Sequence, residues 1–166
     1  MLCGRSLSGK STLARQLADA LPATVIALDH LNAERGLSSG AGIPLTEWGR
    51  THEIAHDRTR TELLAGRSVV VDDTSSPRFL RDRWRDVGRE AAVPVTLVYL
   101  DTPIEVSAAR HAVNRSDPVR PDVADRVLRD HLDGFEPPEL DEDAIRVAFG
   151  SPEGIEVLLR RIRVRR

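Results

Sequence analysis

The chain has 166 residues, a formal net charge of −2, and 30% charged against 40% hydrophobic residues. That length suits a single domain spanning residues 1–166, and the near-balanced charge gives no overall pull toward nucleic acid or an anionic membrane. Cys3 is the only cysteine, so an internal disulfide is excluded, and no apolar run approaches membrane-spanning length; a soluble, cytoplasmic protein is the expectation.

The first informative stretch is residues 4–12, Gly4-Arg5-Ser6-Leu7-Ser8-Gly9-Lys10-Ser11-Thr12. It fits G-x-x-x-x-G-K-[ST], a phosphate-binding loop. Gly4 and Gly9 let the backbone curl with its N–H groups facing inward. Lys10 can reach the β- and γ-phosphates, and Ser11 can offer its hydroxyl to Mg²⁺. A helix is expected to begin at about Lys10, so its positive end faces the same phosphates. Lys10 is also the only lysine among 24 basic residues. Its survival in so arginine-biased a chain points to a place where a compact ammonium fits and a planar guanidinium does not. Only Met1, Leu2 and Cys3 precede the loop, where a buried strand of about five or six residues is expected. That suggests a clipped first strand or a start set too late. Cys3 itself reads as a small buried strand residue rather than a nucleophile.

The remaining elements alternate. Leu13, Leu17 and Leu21 recur at helical spacing before Pro22. Residues 23–28 read as a buried strand ending at Asp29. Residues 30–45 contain several glycines and read as loop or broken helix, followed by a helix over 46–65. Residues 68–71 form the next strand, ending in Asp72-Asp73-Thr74. Ser76-Pro77 offers a capping hydroxyl and a proline at the first helical position. That helix is expected to carry Phe79, Leu80, Trp84 and Val87 inward and its arginines outward. A strand over 95–100 precedes Thr102-Pro103, which repeats the cap-plus-proline signal. Residues 113–121 are polar, 122–132 helical and 144–149 a last strand. Ser151-Pro152 then opens a final helix. Five strands alternating with helices predict an α/β fold with a parallel sheet. Residues 4–11, Asp29 and 72–74 all fall at strand carboxyl ends, where such sheets bind ligands.

Together, the phosphate loop, Val-Ile-Ala-Leu-Asp29-His30, Val-Val-Val-Asp72-Asp73-Thr74 and Leu-Val-Tyr-Leu-Asp101-Thr-Pro resemble small P-loop kinases. The likeness is nearest to polynucleotide kinase and chloramphenicol phosphotransferase, with zeta-toxin kinases further off. It implies a three-layer fold with a five-stranded parallel sheet, helices on both faces, and an arginine-bearing lid over about 110–122. Phe135-Glu136-Pro137-Pro138 is similar to a segment that follows the lid. The resemblance also implies ATP and Mg²⁺ as cofactors. It makes Asp29 the base that accepts the acceptor hydroxyl's proton, a role that suits a carboxylate within hydrogen-bond reach. Arg110, Arg115 and Arg120 become lid arginines, acting on the transferring phosphoryl group or stacking on adenine. Of the two strand-end acids, one holds Mg²⁺ and the other orients the acceptor or an arginine, since neighbouring strand residues point to opposite faces. Asp72 fits the metal position, and Asp73-Thr74 the acceptor side. His30, Arg35, Trp48, His52 and His56 surround the expected acceptor. Trp48, His52 and His56 share helical spacing, which suits either a binding face or a packed Trp with two surface histidines. The acceptor loop matches no substrate class. The expected activity is γ-phosphoryl transfer from ATP to a hydroxyl of a small molecule, nucleoside-like or antibiotic-like. A 5′-hydroxyl polynucleotide kinase and an ATP-hydrolysing nucleotide switch are the alternatives.

Overall fold

In a computed structural model of the chain, which describes residues 1–37, 42–118, 122–151 and 154–164, the valine-rich runs become strands and the segments between them helices. The order is β1 (Leu2–Cys3), α1 (Lys10–Ala20), β2 (Ala23–Ala27), α2 (Leu28–Glu34), α3 (Leu45–Leu64), β3 (Ser68–Asp72) and α4 (Arg78–Glu90). Then follow β4 (Val98–Asp101), α5 (Ile104–Ser116), α6 (Asp125–Asp133), a 3-10 turn (Leu140–Glu142), β5 (Ile145–Ala148) and α7 (Ile155–Val164).

All described strand pairs are parallel. They form two ladders, β1-β4-β5 and β2-β3, rather than the single five-stranded sheet expected. The reason is the length of β1. Its two residues pair with Val98 and Tyr99 of β4 along one edge, and toward β3 so short a strand makes contacts but no ladder. The ladders meet where β1 contacts β3, and the Gly4 N–H donates to the Thr74 carbonyl at 3.2 Å.

Alternation along the strands sorts the core into layers. Leu2, Val70, Val98, Leu100 and Ile145 pack with Ala14 and Leu17 of α1 and with Leu158, Leu159 and Ile162 of α7. Their neighbours turn the other way. Val71 and Ile26 pack with Leu28 and Leu31 of α2, Ala55 of α3 and Trp84 of α4, while Cys3 and Tyr99 join Leu97 and Phe135. Helices therefore cover both faces, and burying each such Leu, Ile or Val side chain contributes about 1.5–3 kcal/mol. Burial pushes the Cys3 thiol up to about 12, and its Sγ lies 3.6 Å from the Ser75 carbonyl, as suits a packed core residue. Among the described residues, no helix is long and apolar enough to cross a membrane.

Three expectations about local structure change. The chain passes directly from β2 into α2, because Leu28 and Leu31 belong to the core; Asp29 therefore sits in a first helical turn rather than at a strand end. In α4 the inward face is Arg81, Trp84, Val87 and Gly88, and Phe79 is 60% exposed. At both predicted Ser/Thr-Pro starts the proline, not the hydroxyl residue, is the N-cap, and no side chain caps the helix. The hydroxyls serve distant partners instead. Ser76 Oγ accepts the N–H of Glu136 at 2.8 Å, and Thr102 Oγ1 donates to the Ser8 carbonyl at 3.2 Å. The start predicted at Ser151-Pro152 includes Pro152, outside the described residues.

Candidate active site

The phosphate loop is built by close approach. A Cβ on Gly4 would lie 2.9 Å from Ser8 Oγ and 3.0 Å from the Leu100 carbonyl, so only glycine fits. Gly9, at φ 105°, adopts the left-handed conformation that turns the loop into α1. Helix α1 begins at Lys10, as the motif requires. Its N-terminus has no side-chain cap and no acidic residue in the first turn, so its positive end faces the loop uncompensated. Lys10 is buried and folds back, Nζ donating to the carbonyls of Gly4 at 2.9 Å and Arg5 at 2.8 Å. Desolvation lowers its pKa, while the charges of Asp72, Asp73 and Asp29 pull it back up. Ser8 Oγ and Arg5 Nε are buried without a hydrogen-bond partner. The Arg5 guanidinium lies 4.8 Å from the centre of the Phe135 ring, which stacks on Tyr99.

The two neighbouring acids diverge. Burial raises the Asp72 pKa, opposed by a hydrogen bond from Ser11 and the charge of Lys10. Asp73 accepts a hydrogen bond from Ser75 Oγ at 3.4 Å, and its charge acts on His52. Thr74 contributes its carbonyl to the loop through Gly4. Asp29 is exposed in the first turn of α2, and its charge reaches Lys10, Asp72 and His131. The structure thus brings Asp29, Asp72, Asp73, Ser11 and Lys10 into one electrostatic neighbourhood.

The acceptor-side residues separate. Trp48, His52 and His56 do share a face of α3, with ring centres 6.4 Å and 6.0 Å apart in succession. That face packs toward α4, and His56 meets Trp84 edge-on at 4.3 Å. Burial lowers the pKa of His52, and lowers that of His56 to about 4. His30 turns away, its side chain 76% exposed beside Glu34 on the same helix. Arg35 is drawn into a clamp between α2 and α3. It donates to the Glu47 carboxylate, to the Glu47 carbonyl at 2.8 Å and to Thr51 Oγ1.

The lid arginines also divide. Arg110 donates to the Leu7 carbonyl at 2.8 Å, and its guanidinium lies 5.6 Å from the centre of the Phe149 ring. Arg115 turns onto Asp122 and Asp125, at 3.2 Å and 2.9 Å. Arg120 lies outside the described residues. Two participants escaped the sequence reading. Phe149 closes on Arg110 from the end of β5. His131, on α6, is electrostatically coupled to Asp29 and Lys10 although still solvent-accessible; desolvation lowers its pKa. Helix α6 reaches the loop because Leu7 packs against its buried face of Val127, Leu128 and Leu132. Neither residue belongs to a local motif that could have marked it.

Residues 1–138 match the profile of the AAA domain family. A shikimate kinase of Nitratidesulfovibrio vulgaris is 32% identical over 132 residues, covering 79% of this chain and 73% of that relative. An adenylyl-sulfate kinase of Saccharomyces bayanus is 36% identical over 115 residues; the match spans 66% of this chain and 55%, little more than half, of that protein. Among solved structures, Chaetomium thermophilum Kti12 in complex with ADP-AlF3 superposes with a TM-score of 0.81 at 14% identity, covering 99% of this chain and 96% of that one. The likeness holds at the level of small P-loop kinases, and these relatives do not narrow it to the polynucleotide kinase and chloramphenicol phosphotransferase group. With most of its length inside the family profile, the chain belongs to the AAA domain family and carries the α/β fold of the small P-loop kinases.

Proposed function

We propose that the protein transfers the γ-phosphoryl group of ATP to a hydroxyl of a small molecule. The observation that carries this reading is Lys10, buried in the loop at the uncapped end of α1, with Asp29, Asp72 and Asp73 all acting on it. In this reading Lys10 and the N–H groups opening α1 hold the β- and γ-phosphates. Ser8 Oγ and Arg5 Nε, buried and unsatisfied, are further donors from the same loop. Ser11 and Asp72 are hard oxygen donors already in hydrogen-bond contact, which fits Mg²⁺. When bound, the metal would neutralise charge on the phosphate oxygens.

Asp29 orients the acceptor hydroxyl and takes its proton as the new O–P bond forms. The β–γ bridging P–O bond breaks, and its electron pair leaves on ADP. Arg110 and Phe149 form a platform for adenine, while Arg115 and Arg120 serve the lid. Trp48, His52, Asp73 and Thr74 border the acceptor. The test is Asp29→Asn, assayed for ATP binding, ATP hydrolysis and transfer to acceptors found in a screen of hydroxyl compounds and 5′-hydroxyl oligonucleotides. Transfer should fall by about 10²–10⁴-fold, the usual contribution of a positioned base. ATP binding should hold, and hydrolysis without acceptor should fall far less. Equal losses in transfer and hydrolysis would show that Asp29 serves the nucleotide or metal. Hydrolysis without transfer to any compound would favour the nucleotide switch.

A further inference from the structure

We propose that the acceptor carries no acidic group: the site takes an uncharged or amine-bearing hydroxyl compound. This rests on the kinase reading above and names the substrate class of the same site.

The elements bordering the acceptor are α2, the first half of α3 and the loop after β3. An acidic acceptor would need a cation from them. Their arginines are already engaged. Arg35 is tied to the Glu47 carboxylate and backbone and to Thr51, which itself donates to Asn32 Oδ1. Arg50 pairs with Glu47 at 2.9 Å, and Arg58 with Glu34 at 2.6 Å. Releasing Arg35 would leave the Glu47 carboxylate, only 25% exposed, to the exposed Arg50 alone and break two further hydrogen bonds. Exchanging one carboxylate for another while giving up those two hydrogen bonds is a net loss.

Apart from these paired arginines, what these elements present is acidic or neutral. Asp73 and Asp29 border the site, Asp73 acting electrostatically on His52 and both acting on Lys10. His52 and His56 are held neutral by burial, which penalises their charged forms, and Trp48 adds an aromatic face. A carboxylate, sulfate or phosphate on the acceptor would meet like charge, whereas an ammonium would find Asp73. Arg83 of α4 is a nearby cation outside these elements. It is exposed, and its charge reaches His52 and His56. Transfer keeps the balance given above: the acceptor oxygen gains phosphorus, its proton goes to Asp29, and ADP leaves with the bridging oxygen's electron pair.

The experiment uses the whole chain with MgATP and matched acid, alcohol and amine triads, beginning with gluconate, glucitol and glucamine. Labelled phosphate transfer gives kcat/KM for each compound, and equilibrium dialysis confirms MgATP binding in the same samples. Alcohol and amine members should exceed their acid by at least about tenfold, the scale of a like-charge penalty. Glu47→Gln, which removes the ion-pair partner of Arg35, should shift preference toward the acid. Preference for acids, transfer to acids alone, or no transfer to any alcohol or amine while MgATP binds would overturn the proposal. An acid preference abolished by Arg83→Ala would overturn it too, and would name Arg83 as the cation. Failure to bind MgATP would instead overturn the kinase reading.

Discussion

Arg81 and Glu142 form an ion pair with neither side chain exposed, joining α4 to the 3-10 turn through hydrogen bonds of 2.7 Å and 2.6 Å. Desolvation would raise the Glu142 carboxyl, yet the Arg81 hydrogen bonds and the Glu139 N–H hold it down at about 2. Arg81 also donates to the carbonyls of Ser75 at 2.9 Å and Glu136 at 3.0 Å. One side chain thus fixes the loop after Asp72-Asp73 against the segment after α6. Removing one member of such a pair leaves a buried charge, which costs about 3–5 kcal/mol. Arg81→Met should show that loss in denaturant unfolding. The double variant Arg81→Met/Glu142→Leu should recover part of it, short of full recovery because Glu142 also holds Arg85 and the Glu139 N–H. A single variant as stable as wild type would remove Arg81 from this role.

Lys10 sits where two carbonyls converge within 2.9 Å of one nitrogen. A planar guanidinium cannot take that position without displacing the loop. Lys10→Arg and Lys10→Ala should each lower kcat/KM by about 10²-fold or more, the scale of a lost transition-state donor. Melting temperature should stay near wild type. Near-normal turnover of the arginine variant would contradict the fit.

Phe149 and Arg110 predict an effect on nucleotide affinity rather than on the chemical step. Phe149→Ala should raise KM for ATP several-fold and leave kcat nearly unchanged, the pattern of lost uniform binding. An unchanged KM would place adenine elsewhere.

His56 gives the fold a pH dependence. Burial first, then the neighbours His52, Arg83 and Arg60, lower its pKa to about 4, with Asp57 opposing. The unfolded chain titrates this imidazole near 6.5. Above that value both states are neutral and the full stability is present. Below it the unfolded state binds a proton that the folded state refuses, so stability falls as pH drops from about 6.5 toward 4. The loss approaches about 1.4 kcal/mol per pH unit, or about 2 kcal/mol by pH 5. His56→Phe should flatten this slope between pH 7 and pH 5 in denaturant titrations. An equally steep slope in the variant would assign the dependence to other groups.

The sequence by itself determined the order of the strands and of the helices other than α2, the phosphate loop and the start of α1 at Lys10. It also placed Trp48, His52 and His56 on one helix face. Each of these is local: a valine run, a 3.6-residue period, or fixed spacing within nine residues. What only the tertiary structure decided depends on distant partners. Thr102, read as a cap, bonds across 94 positions to the Ser8 carbonyl, and Ser76 meets the Glu136 N–H 60 positions away. Arg81 looked like one more surface arginine until Glu142, 61 positions later, accepted its hydrogen bonds in the core. Arg35 looked free for an acceptor until α3 docked Glu47 against it. His131 became a neighbour of Asp29 when α6 packed on Leu7. A hydroxyl or a guanidinium is satisfied equally by water or by protein, so its own neighbours in the chain carry no signal of which it will be. The docking of whole elements makes that choice, through the desolvation that forces each buried polar group to find a partner.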